Sequence, residues 1–330
     1  MSIDLATGQY SHASLSDLTD VYDMKIINST EIVFNFKSDA GYGLRFYDPV
    51  AMAKSGDDAT YPSAQGSQLD LEGRIALDAD KQTVFVTHAI RDGRVIAGKV
   101  FAIGIAQRQL IDADNNIFNG AFAFDSSLVS NSLRWAYNIA FDDAANEILV
   151  GNRTSPTVTA IDWSMWGEFD REAGLAIPTA GVRVIDMEPP PPYNEDESYG
   201  VEIWGFAGGN GIAIKSIPGK VPILRYESGE DTWSNYYVET AIYPATTNNA
   251  VKIVPERQSW FTAFRDPSRE FDGVITAVEE RPFDSLERLY RFESRYIENP
   301  SPSAFAIDTE NKLLYVAYGQ QTFIEVFCLP

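Results

Sequence analysis

The stretch Asp112-Ala113-Asp114-Asn115-Asn116 sets oxygen donors at alternate positions, as does the opening of a loop that wraps a hard cation. Such a loop needs glycine at its sixth position and glutamate at its twelfth. The chain has Ile117 and Ala123 there, which excludes an EF-hand and leaves a polar turn between strands. Histidine chemistry is thin, because His12 and His88 are the only two imidazoles, too few for a zinc site built from them. A serine nucleophile lacks its Gly-x-Ser-x-Gly setting. Gly208-Gly209-Asn210-Gly211 has the composition of a phosphate cradle, but Ile212-Ala213-Ile214-Lys215 reads as a strand, so no helix N-terminus follows to hold an anion. A tight hairpin turn is expected there instead.

Three further carboxylates, Asp78, Asp142 and Asp308, recur at one place in a pattern. Ile75-Ala76-Leu77-Asp78 is followed after five residues by Val84-Phe85-Val86, Ile139-Ala140-Phe141-Asp142 after five by Ile148-Leu149-Val150, and Phe305-Ala306-Ile307-Asp308 after five by Leu314-Tyr315-Val316. Two short apolar runs around a polar turn predict a hairpin, with the aspartate fixing the turn through backbone N–H groups. Val251-Lys252-Ile253-Val254 and Trp260-Phe261-Thr262 keep the spacing without the aspartate. The gap between 139 and 251 leaves room for one more copy, filled by Tyr199–Trp204 and Gly211–Ile214, and Ile26-Ile27 with Ile32–Phe36 supplies a first.

Copies starting near 26, 75, 139, 201, 251 and 305 give a period of about 56 residues holding several short strands. A four-stranded sheet cannot bury both faces alone, so this period predicts radially repeated sheets. The expected fold is all-β: one domain over residues 1–330, a six-bladed β-propeller with four antiparallel strands per blade. Seven blades are the alternative if Asp170–Tyr199 hides another. The last copy supplies three strands, so residues 2–10 are expected to add the fourth and close the ring, removing exposed edges.

Composition narrows the function. A net charge of −21 repels polyanions, which sets nucleic acid aside as a partner. Cys328 is the sole cysteine, so an intramolecular disulfide framework is excluded. The first residues lack the basic start and apolar core of a secretory signal, and the longest apolar stretch, Val95–Ala106, is broken by Lys99 and too short to span a membrane. The expectation is a protein of the cytoplasm or of a virus particle assembled there. Segments between copies are the expected contact sites, because loops on a rigid scaffold carry function. They are Ala51–Gln68, Arg265–Gly273, and above all PPPPYNEDESYG at 189–200, where Pro189, Tyr193, Glu195, Asp196 and Glu197 join a stiff run to an acidic tip.

The segments IAFDDAANEILVGN (139–152) and FAIDTENKLLYVAYG (305–319) resemble the hairpins of propellers of the YVTN and senescence-marker/gluconolactonase type, over about a third of the chain in pieces. In the gluconolactonase-like enzymes a divalent metal sits at the mouth of the central channel on Glu, Asn and Asp residues before innermost strands. By that resemblance Glu72 in LEGR and Asn138 in YNIAFD occupy matching places, with Asn249 as a further ligand of one divalent cation such as calcium. The chain lacks the glycine that follows the asparagine and has Ser303 where the pattern offers aspartate. Ser228–Trp233 resembles the Asp-box of sialidase-like propellers but is two residues short and occurs once, as a turn entering a strand does. The expected function is a non-catalytic scaffold or recognition protein, such as a bacteriophage tail or host-attachment component that binds proteins or a host-surface ligand. The alternative is a metal-dependent lactonase-like hydrolase.

Overall fold

The computed structural model describes residues 2–3, 10–11, 15, 17–39, 41–60, 68–69, 73–78, 80–92, 95–111, 124–125, 136–152, 157–168, 181–186, 201–207, 210–215, 223–227, 234–236, 251–265, 275–283, 287–296, 302–318 and 324–330. The chain divides into two compact units, residues 1–141 with 146–184, and residues 142–145 with 185–330.

In the first unit, Asp20–Asn28, Glu31–Ser38 and Gly41–Asp48 form an antiparallel meander, extended by Ala53–Lys54 and Ala59–Thr60. The second sheet runs from Gln68–Leu69 and Ile75–Leu77 through Thr83–Asp92 and Val95–Gly104 to Gln109–Leu110 and Phe124–Asp125. The third joins Ala136–Asp142, Glu147–Asn152, Thr157–Asp162 and Val182–Asp186. In the second unit, a fourth sheet holds Val201–Ala207, Asn210–Lys215, Ile223–Glu227 and Ser234–Tyr236, and a fifth holds Val251–Val254, Ser259–Arg265, Ile275–Pro282 and Tyr290–Glu293. Pro302–Asp308, Leu313–Tyr318 and Ile324–Cys328 make the last.

The apolar runs are uninterrupted because both faces of these strands are covered. Val84 and Val86 pack with Val33, Leu44 and Phe46 of the first sheet, while Phe85 between them points the other way and stacks on Phe141 of the third at 5.3 Å between ring centroids. Phe261, Val278 and Phe292 of the fifth sheet likewise pack on Phe305, Leu314 and Val316 of the last. Apolar burial at about 25 cal/mol per Å² is what ties the first three sheets to one another and the fifth to the last. The turns share a device: Met52, Arg108, Asn146, Gln258 and Lys312, each the last loop residue before a strand, have φ between 51° and 56°. A left-handed residue ending a short loop turns the chain back into the ladder.

Three hairpins that share the five-residue spacing share one register. Ile75 stands opposite Val86, Val251 opposite Thr262, and Phe305 opposite Val316. Five sheets have four or more described strands, against the six expected, and the last has three. The N-terminal segment departs from expectation as well: Ser2 and Ile3 pair with Ser11 and Tyr10, not with Ile324–Cys328. Partners close in sequence cost less loop-closure entropy than partners at the far end of the chain. Among the described residues no helix is long and apolar enough to cross a membrane.

Candidate functional site

Polar side chains buried inside apolar strands are the places where this sequence breaks its own pattern. Asn35 interrupts Ile32-Val33-Phe34-Asn35-Phe36 and is 1% exposed, facing Asp23 across the first two strands. Its Oδ1 accepts the Asp23 N–H at 2.7 Å, and its Nδ2 donates to the carbonyl of Gly73. Asp23 Oδ1 accepts the Met24 N–H at 2.8 Å and Oδ2 accepts the Ile75 N–H at 3.0 Å. Arg74 donates its N–H to Thr87 Oγ1 at 3.0 Å and its Nη1 to the Tyr22 carbonyl at 2.6 Å. Glycine is required at 73, since a Cβ there would lie 2.1 Å from the Thr87 carbonyl oxygen. Side chains of the first sheet thus grip the backbone that leads into the second, and both oxygens of Asp23 are engaged by main-chain N–H groups.

The fifth sheet carries a second polar cluster. Glu280, 1% exposed, receives Arg257 Nε at 2.8 Å and Nη2 at 3.0 Å together with Ser259 Oγ at 2.7 Å. The hydrogen bond to this carboxylate raises the Arg257 pKa above its ordinary value against the opposing effect of burial. Glu279, 3% exposed, meets Arg281 Nη2 at 2.8 Å, Arg291 Nη1 at 3.2 Å and Arg288 Nη1 at 3.3 Å. Burial lowers the Arg281 pKa, and Glu279 opposes that shift.

The residues singled out from sequence are scattered by comparison. Asp78 Oδ1 accepts the N–H groups of Gln82 at 2.7 Å and Thr83 at 2.9 Å, and Asp142 Oδ1 accepts those of Ala144 at 3.0 Å and Ala145 at 3.2 Å. Asp308 accepts the Asn311 N–H at 2.9 Å and its side-chain amide at 2.8 Å, and that side-chain bond heads the causes that hold its carboxyl below the usual range. Asn138 is half-buried, with an Oδ1 that has no hydrogen-bond partner among the described residues. It stands immediately before Ile139, the place that Arg74 takes before Ile75. Glu72, Asn249, Pro189, Tyr193, Glu195, Asp196, Glu197, His12 and the Asp112–Asn116 stretch lie outside the described residues. His88 is buried, edge-on to Tyr42 at 5.1 Å between ring centroids. Among the described residues no group of three or more His, Cys, Asp or Glu side chains is placed to hold a metal ion. The reading from sequence missed Asp23, Asn35, Arg74, Glu279 and Glu280; for Asn35 a polar residue between Phe34 and Phe36 was the available signal, and the other four stand among charged or turn residues that give none.

No protein-family model and no curated protein matches this sequence. Solved structures do match. The β-propeller domain of the Trilobed protease from Pyrococcus furiosus, described as having an open velcro topology, aligns at a TM-score of 0.50 and 6% identity over 94% of this chain and 82% of that one. An oligogalacturonate lyase in complex with manganese aligns at 0.53 and 7% over 90% and 74%, and KlAtg21 in complex with the coiled-coil of AgAtg16 at 0.52 and 14% over 94% and 81%. At such identities the likeness is one of fold. The chain is an all-β protein of the β-propeller class, as its hairpin repeats indicate.

Proposed function

We propose that the chain is a single-domain, six-bladed propeller serving as a non-catalytic recognition scaffold, with its contacts to a protein or host-surface ligand made by segments between sheets. One observation carries this reading: the buried carboxylates Asp23, Glu279 and Glu280 spend their hydrogen bonds on joining strands and turns, Asp23 between the first and second sheets and the two glutamates within the fifth. Contact then falls to the connections, foremost the segment containing Pro189, Tyr193, Glu195, Asp196 and Glu197. KlAtg21, of similar fold, is known in complex with a coiled-coil. The test is chemical cross-linking in the native host, comparing the full chain with a variant carrying serine at 193 and 195–197. Loss of a cross-linked partner in the variant is expected, and an unchanged pattern overturns the reading. The further suggestion of a virus-particle component rests on composition. It requires the chain in purified particles by mass spectrometry, and particles without it would refute that setting.

A metal-dependent hydrolase is the second reading, favoured by Asn138 Oδ1, which has no partner among the described residues and is an oxygen suited to a hard cation. The second sheet fits less well, because the buried Arg74 guanidinium sits two residues from Glu72. The manganese complex of an oligogalacturonate lyase shows a metal bound by a protein of similar fold. Elemental analysis decides it: a stoichiometric divalent ion that Glu72→Gln loses would establish this reading, and a metal-free chain would remove it.

A further inference from the structure

The last sheet ends on Ile324–Cys328, which pairs with Leu313–Tyr318 and, among the described residues, with no strand beyond it, where the third, fourth and fifth sheets each have a fourth strand. Its backbone polarity follows from one bond. The Leu329 N–H donates to the Lys312 carbonyl at 2.8 Å, which makes Leu329 a member of a bonded pair. Alternation along the antiparallel ladder then turns the N–H and C=O of Glu325 and Phe327 toward Leu313–Tyr318, and those of Ile324, Val326 and Cys328 toward the open side. The side chains of the same three residues are apolar and reach solvent, Ile324 at 38% and Val326 at 49%, with Cys328 exposed beside them. Charge on an edge strand guards it against pairing with another chain. Tyr290–Glu293 carries Arg291 and Glu293, Val182–Asp186 carries Arg183 and Asp186, and Ala53–Lys54 carries Lys54. The sole charge on Ile324–Cys328 is Glu325, which is buried and accepts the Tyr318 hydroxyl at 3.1 Å.

We propose that this edge pairs with the same edge of a second copy of the chain, antiparallel about a two-fold axis at Val326. In that register Val326 stands opposite Val326 and Ile324 opposite Cys328, so every outward donor meets an outward acceptor. Opposed side chains share a face, and the exposed apolar residues of both copies join into one strip. Glu325 stands opposite Phe327, away from the other copy's carboxylate. Neighbouring registers lack this fit: an axis at Glu325 sets the two carboxylates against each other, and an axis at Phe327 sets Ile324 opposite Pro330, which has no N–H. The strand is thus complementary to itself in one register, which is what a closed two-fold contact requires.

Sedimentation velocity of the full chain over a range of concentrations is the test. A reversible monomer–dimer equilibrium is expected, shifting toward dimer as salt rises, because each copy carries a net charge of −21 and screening weakens their repulsion. Val326→Lys sets two ammonium groups across the axis and is expected to raise the dissociation constant by at least about tenfold. Amide hydrogen exchange on the unmodified chain locates the contact and decides the matter if the lysine variant fails to fold. The Ile324, Val326 and Cys328 amides should exchange freely in dilute solution and slow on concentration, while those of Glu325 and Phe327 stay protected throughout. A monomer at every concentration overturns the proposal, as does a dimer that a folded Val326→Lys leaves intact or one in which the Val326 amide does not slow. A chain that stays monomeric while that amide slows in host lysate has a different protein on this edge, which also overturns self-pairing. None of these outcomes bears on the recognition reading, which residues 193 and 195–197 test.

Discussion

The first two sheets and the last two spend their buried polar groups differently. Between the first and second sheets the buried polar atoms are directed at backbone: Asn35 holds the Gly73 carbonyl and Asp23 the Ile75 N–H. In the fifth and last sheets charge meets charge or hydroxyl inside a single sheet: Arg257 grips Glu280 with two nitrogens within the fifth, and Glu325 takes the Tyr318 hydroxyl at 3.1 Å within the last. The Arg257 bond that leaves its own sheet, from Nη1 to the Pro330 carbonyl at 3.2 Å, is again directed at backbone. Backbone-directed bonds demand fixed geometry, whereas ion pairs make a sheet responsive to pH and salt.

The contrast can be broken most forcefully at Glu280. Glu280→Ala strips Arg257 and Ser259 of their shared acceptor, and removal of one partner from a pair buried on the carboxylate side is expected to cost about 3 kcal/mol in denaturant unfolding. Less than that would mean that Arg257 recovers its loss in water. Where the first sheet meets the second, Gly73→Ala drives a methyl group against the Thr87 carbonyl and should cost about 2 kcal/mol, with little salt dependence. Equal salt dependence for the two variants would erase the distinction drawn between the two regions.

Titration sharpens it further. Burial, and then the nearby Glu325, hold the Tyr318 hydroxyl well above the ordinary tyrosine range. Its contribution is complete below the pKa of an unfolded tyrosine and is lost as pH rises toward the folded value. The unfolding midpoint should therefore fall in strong alkali, and Tyr318→Phe should flatten that fall. The smallest effect belongs to Asp308. Its folded pKa is depressed, so its contribution is present above the unfolded value near 4 and lost as pH falls through the folded one. An NMR titration of its carboxyl carbon should show a midpoint below that of an unfolded peptide, and a midpoint at the peptide value would contradict the Asn311 contact.

The hairpins were legible in the sequence because the apolar runs and polar turns lie within a dozen or so residues of each other, where local pattern governs. The bonds between the first and second sheets were not, because they join Asn35 to Gly73 and Asp23 to Ile75, and a repeat period places copies side by side without saying which side chain of one reaches which atom of the next. Glu72 drew notice through resemblance, while its neighbours Gly73 and Arg74 do the fastening that the structure describes. The N-terminal segment misled for a related reason: alternation says that a strand forms, not which partner it takes.

Cys328 sits at the end of the last strand, exposed, and no other thiol exists in the chain. A maleimide dye would consequently attach at one defined point without any engineered substitution. From there its emission would report whether the outer margin of that three-stranded sheet is open to water or covered, in dilute solution or inside a larger assembly.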